Sequence, residues 1–226
     1  MGCGGLTLPW GTRISTVEGG GDSRVASSEG QGQQGPGGAG NPDDVAIAAL
    51  CLAGDLEGYE RLYRWQGTRM KNLARHLLGT QSDAEDAVQE TFLKVQRNMA
   101  SFRGQSSFVT WTFRILVNTC HDLRRSRVRR KEHAHGESDA LPPSLEPRAA
   151  VAHPALRLAL ERAMVRLTRH QRDVFLLYEV EGFRHSEIAG MLEITEAASK
   201  NTLFQAKKNL RSMLEPPTSK AREAGR

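Results

Sequence analysis

The chain has 226 residues, 38% of them hydrophobic, and carries 31 Lys and Arg against 26 Asp and Glu for a formal net charge of +5. That length suits one large or two small domains, and three cysteines without paired spacing exclude a disulfide framework or a Cys-x-x-Cys zinc half-site and point to a reducing compartment. No apolar run approaches the roughly 20 residues that cross a bilayer, and the first residues lack the basic-then-apolar order of a signal peptide, so a cytoplasmic location is expected.

Residues 1–40 hold the tracts Gly19-Gly20-Gly21 and Gly35-Pro36-Gly37-Gly38 and few large apolar residues. They bury too little to offset the entropy of ordering and are expected to be disordered. From Asp43 onward apolar residues recur at helical spacing. A first helix is predicted over about Asp43 to Ala53, stopping at Gly54. The second runs over about Asp55 to Leu78, with Leu56, Tyr59, Leu62, Tyr63, Met70, Leu73, Ala74, Leu77 and Leu78 on one stripe and Gly79 as its stop. Ser82 stands three residues before Glu85, a capping-box spacing that predicts a third helix to about Ala100.

A loop at 101–106 precedes a fourth helix from about Ser107 to Lys131. Its last turns hold Arg124, Arg125, Arg127, Arg129, Arg130 and Lys131. Basic residues suit a helix C-terminus, but the macrodipole acts mainly over the last turn, so a longer stripe points to phosphates. Residues 133–153 contain Pro142, Pro143 and Pro147 and read as a linker.

Beyond it, Leu156, Leu160, Ala163, Met164 and Leu167 mark another amphipathic helix, and an element over Arg169 to Glu181 ends at Gly182. A short helix over Arg184 to Leu192, a tight turn at Glu193-Ile194 and a longer helix from the N-cap Thr195 to about Leu214 form a helix-turn-helix pattern, stopped by Pro216-Pro217. Residues 216–226 are expected to be a disordered tail. Residues 41–135 carry 15 basic against 11 acidic side chains and residues 154–226 carry 13 against 9. Each compact segment is thus basic by four charges, which points to a polyanionic partner.

Three groups of residues, in chain order, carry a family resemblance. Asp83 to Lys94 contains Asp86, Gln89 and Glu90 at the Asp-x-x-Gln-Glu spacing of sigma-70 region 2.2. Residues 101–118, with Phe102-Arg103-Gly104 and Phe108-Val109-Thr110-Trp111, resemble the promoter-melting region that follows it. Leu167 to Leu177, and then Glu181-Gly182 with Glu187-Ile188-Ala189, resemble region 4. The short linker, without the extra domain of larger relatives, places the chain in the small extracytoplasmic-function group.

The resemblance implies an all-α protein of two small helical domains, region 2 over 41–132 and region 4 over 154–215, joined by a flexible linker. It implies a non-enzymatic subunit, without cofactor, that directs core RNA polymerase to promoters. Asp86, Gln89, Glu90 and Phe92 would bind the beta-prime clamp coiled coil. Phe102, Arg103, Gln105, Ser106, Ser107, Trp111, Asn118, Arg124 and Arg125 would meet minus-ten DNA, the loop residues capturing an unpaired strand. Trp111 and Phe108 are expected to be partly structural, and the arginines to bind backbone phosphate.

Ser199, Lys200, Asn201, Phe204, Gln205 and Lys207 would face the minus-35 duplex, and region 4 would also meet the beta flap. Glu193 holds a turn position usual for Gly, and Thr202 stands where arginine is common, which predicts weaker or unusual minus-35 reading. An anti-sigma factor is an expected partner, holding the chain at the inner face of the membrane. The alternative is a sigma-like helix-turn-helix regulator that does not open promoters. An enzyme reading would rest on Cys120, His121, His133 and His135; Cys120 and His121 would project about 100 degrees apart on a helix, a poor chelate.

Overall fold

The computed structural model describes residues 41–133 and 154–214, with side chains at 41–129 and 158–214. The expected Gly-rich head, the tail and residues 134–153 of the expected linker lie outside the described residues, as does His135, while His133 ends the fourth long helix.

Asn41 caps α1 (Pro42–Leu52) by accepting the Asp43 N–H at 3.0 Å. After Gly54, at φ 77°, Asp55 caps α2 (Leu56–Leu78) by accepting the Glu57 N–H at 2.9 Å. The two helices pack so closely that a Cβ on Gly58 would lie 2.7 Å from the Cys51 backbone nitrogen. Leu62, Met70, Leu73, Ala74, Leu77 and Leu78 form the expected buried stripe of α2. Leu56 and Tyr63 leave it, at 69% and 45% exposed, because both lie on the outward side of the helix.

Helix α3 (Gln81–Asn98) begins one residue before Ser82. The cap is Thr80, whose hydroxyl accepts the Asp83 N–H at 3.3 Å, so the predicted Ser82/Glu85 box does not form; Ser82 is already inside the first turn. A 3-10 turn at Met99–Ser101 leads to a loop and then to α4 (Phe108–His133). The start of α4 is held from α1, where the buried Asp44 carboxylate accepts the N–H groups of Phe108 at 2.7 Å and Val109 at 2.8 Å. Burial pushes the Asp44 carboxyl above its ordinary range, and those two bonds oppose the shift.

In the second unit α5 (Pro154–Arg166) packs on α8 (Glu196–Leu214) through Ala163, Leu167, Ala206 and Leu210. Arg172 donates to the C-terminal carbonyls of α5 at Met164 and Val165, at 3.1 and 2.8 Å. Thr168 and Gln171 form a capping box for α6 (Arg169–Phe175), which continues into a π-helical turn, Leu176–Val180, and ends at Gly182 with φ 75°. Between α7 (His185–Leu192) and α8 lies the predicted tight turn. The fold is thus all-α, with each expected helix present among the described residues.

The two units share one hydrophobic cluster, in which Met70, Phe113, Leu116 and Val117 of the first meet Leu177, Phe183, Ile188 and Met191 of the second. The Phe113 and Phe183 rings lie 5.1 Å apart at its centre.

Candidate nucleic-acid and partner interfaces

On α3, the one-turn spacing of Asp86, Gln89 and Glu90 directs the first two to solvent and leaves the third half-exposed. Asp86 and Gln89 have no side-chain bond to another described residue. Phe92 is half-buried and supports this face from below, edge-on to Tyr63 at 5.6 Å. Lys71 lies over the Tyr63 ring at 5.2 Å. Exposed Leu93, together with Tyr63, adds an apolar margin that sequence reasoning had assigned to the core or passed over.

The predicted strand-capture loop divides into anchors and free side chains. Phe102 is buried and meets Phe108 edge-on and Trp111 at a tilt, with each pair of ring centroids 5.3 Å apart. Ser107 is also buried; it accepts the Thr110 N–H at 3.0 Å and donates to the Thr110 hydroxyl at 2.8 Å. These two anchor the loop, and Ser107 adds only a small surface to the floor of the cleft beside it. Arg103 and Gln105 are exposed, and Ser106 and Trp111 half-buried. Gln105, Ser106, Trp111 and Arg114 form one wall of a cleft of about 330 Å³, and Arg184, Glu187 and Met191 of the second unit form the other.

Farther along α4, Asn118 and Arg125 are exposed. Arg124 is not: its guanidinium lies 3.8 Å from the buried Asp173 carboxylate and its side chain is only 18% exposed. His121 Nε2 is 2.9 Å from the same carboxylate, and Cys120 is in the core, its thiol pushed up to about 12 by burial. Arg127 is paired with Asp83 at the start of α3. Among the described residues no cluster of His, Cys, Asp or Glu is arranged to hold a metal ion.

On α8, Lys200, Asn201, Phe204 and Lys207 face outward, Phe204 at 64% exposed. Gln205 is half-buried. Lys200 pairs with Glu196 at 2.6 Å and Lys207 with Glu179 at 2.5 Å. Ser199 turns inward instead, fully buried, with its hydroxyl 2.9 Å from His185 Nδ1, so it locks α7 to α8 and adds nothing to the outer face. Burial and the nearby lysines hold the His185 imidazole below its ordinary range.

Residues 62–130 match the family description Sigma-70 region 2, and residues 157–210 match Sigma-70, region 4. The extracytoplasmic-function RNA polymerase sigma factor SigM of Mycobacterium tuberculosis strain H37Rv is 30% identical over 178 residues, which cover 79% of this chain and 88% of SigM. The chain belongs to the extracytoplasmic-function group of the sigma-70 family. Its fold is also that of CnrH, solved in complex with the cytosolic domain of CnrY (TM-score 0.57, 24% identity, 76% of this chain and 97% of that one). RpoE of Bartonella quintana, solved with the anti-sigma factor NepR, is similar too (TM-score 0.56, 22% identity, 70% and 98%). A sigma factor is a transcription initiation factor and not an enzyme; it binds core RNA polymerase and directs it to promoters. No helix among the described residues is long and apolar enough to cross a membrane.

Proposed function

We propose that this sigma factor docks core polymerase through the outer face of α3, captures an unpaired minus-ten strand with the loop before α4, and reads the minus-35 duplex with α8. The observation that carries the reading is the free, exposed pair Asp86 and Gln89 on the same small unit as the exposed loop residues Arg103 and Gln105. Glu90 widens the acidic face, while Phe92, Tyr63 and Leu93 give it an apolar margin. Such a combination suits a partner helix of complementary charge.

In the loop, Arg103 supplies phosphate neutralisation and Gln105 and Ser106 supply hydrogen bonds, with Trp111 as the nearest aromatic face. Asn118 and Arg125 continue the path along α4 as backbone contacts. On α8, Asn201 and Gln205 carry hydrogen-bonding groups, Lys200 and Lys207 charge, and Phe204 an apolar surface for thymine methyl groups. An anti-sigma factor is a further proposed partner, supported by the same fold in RpoE, solved with one. A cytoplasmic location, at the inner face of the membrane when so held, follows from that proposal.

Replacing Asp86 and Gln89 together by Ala is expected to weaken core polymerase binding at least about tenfold, or ~1.4 kcal/mol. Helical content and melting temperature should stay unchanged, since neither side chain is buried. Undiminished binding in a pull-down with purified core would remove this face from the interface.

A further inference from the structure

We propose that Glu196 is a base-reading residue of α8, and that together with Lys200 it selects a C·G base pair within the minus-35 duplex. The inference rests on the reading above, in which α8 lies along that duplex, and adds which side chains set one of its bases.

The start of α8 leaves little choice of reader. Thr195 accepts the Ala198 N–H at 3.1 Å and so fixes the first turn, Glu196, Ala197 and Ala198, all three exposed. The N-terminal residues of a recognition helix are the ones that reach base edges. Two of these three are alanines, which let the helix backbone approach the groove and offer no hydrogen bond. Glu196 alone in this turn carries a side-chain group that can tell one base from another. Ser199, which follows, is buried against His185.

A carboxylate between two rows of phosphates is unfavourable unless it meets a donor, and this makes it a discriminator. In the major groove the donors are the amino groups at cytosine N4 and adenine N6, whereas guanine and thymine present acceptors. Adenine sets its N7 acceptor beside the amino group and repels a carboxylate, which leaves cytosine.

Lys200 is placed for the other half of the pair. It lies one turn on, with Nζ 2.6 Å from Glu196 Oε1. The edge of a C·G pair presents the N4 amino group next to guanine O6, about 3 Å away, with N7 just beyond. The intact ion pair matches that order, the carboxylate accepting from N4 and the ammonium donating to O6 or N7. Neither side chain gives up its partner to bind. The lysine also holds the Glu196 carboxyl below its ordinary range, which keeps it ionised. Farther along the same edge Lys207 is tied to Glu179 at 2.5 Å. Both lysines of this edge are thus neutralised within the protein, an arrangement poorly suited to a plain phosphate grip and well suited to hydrogen-bond readout.

The test is a binding selection by holoenzyme, the full chain with core polymerase, on long DNA duplexes of random sequence. The wild type should enrich two motifs, and one position of the upstream motif should favour C about tenfold over other bases. Glu196→Gln should move that preference to A, since a glutamine amide pairs with adenine N6 and N7, and leave the other positions as they were. Glu196→Ala should erase the preference at that position. Both changes are at an exposed side chain, so the melting temperature should hold. A C preference retained by Glu196→Gln would overturn the proposal while leaving α8 as the duplex reader. Equal tightening by Glu196→Ala on every sequence, with a steeper salt dependence, would mean that Glu196 only repels phosphate, and the proposal would fall. A downstream motif enriched without any upstream one would instead remove α8 from duplex reading altogether.

Discussion

Glu193 is the only non-glycine residue with positive φ among the described residues, at φ 56° and ψ 43°. An L-residue there is strained by roughly 1–2 kcal/mol, because its Cβ crowds the following carbonyl. Its ion pair with Arg114 is long, at 3.7 Å, and joins two exposed side chains, so it returns little. Replacing Glu193 by Gly is therefore expected to raise unfolding stability by about 0.5–1 kcal/mol after the entropy cost of glycine. Chemical denaturation reads this directly, and a loss of stability would show that Glu193 has a compensating contact. The sequence marks this position only through the family resemblance, in which the turn residue held here by Glu193 is usually Gly. The inward turn of Ser199 was not legible: a serine on an amphipathic helix gives no sign that a histidine 14 residues earlier will claim it.

At the scale of elements, most boundaries were legible because helix stops are local events. Gly54, Gly79 and Gly182 each end a helix with positive φ, and each was read as a stop. The start of α3 was misread, since Thr80 and Ser82 both offer a hydroxyl near an acid and the choice depends on how α2 delivers the chain. The start of α4 shows a non-local cap that no spacing rule detects. Asp44 lies 64 residues before Phe108 in sequence and accepts two of its orphan N–H groups. Asp44→Ala should cost about 2 kcal/mol of stability by leaving these donors buried and unpaired, and loosen the loop at 102–107. The wild-type carboxyl is shifted upward from its ordinary 3.8, so the folded state holds the proton more firmly than the unfolded chain. Stability from this group is full below 3.8 and falls as pH rises through the folded value. The variant should lack that slope in acid unfolding curves, and an unchanged slope would mean that Asp44 is not its source.

At the scale of the molecule, the sequence indicated two helical units but not their contact. Each carries a charge of +4, which argues for mutual repulsion. The structure instead gathers acids of the second unit, Asp173, Glu181 and Glu187, opposite Arg69, His121, Arg124 and Thr110 of the first. Arg69 and Glu181 stand 112 residues apart, and no periodicity or motif links them. Family motifs mark α3 and the loop before α4 as candidate sites because those residues are contiguous. The placement of Arg124 in the interface, and not along an open DNA path, follows from docking and could not be read from a basic stripe. As a sigma factor, this chain confers promoter-directed initiation on polymerase. The most direct measurement is run-off transcription on fragmented genomic DNA with purified core polymerase, with and without the protein. Discrete transcripts appearing only with the protein, and lost with the Asp86 and Gln89 replacements, are the expected result. No initiation above that of core alone, together with no binding to core, would contradict it.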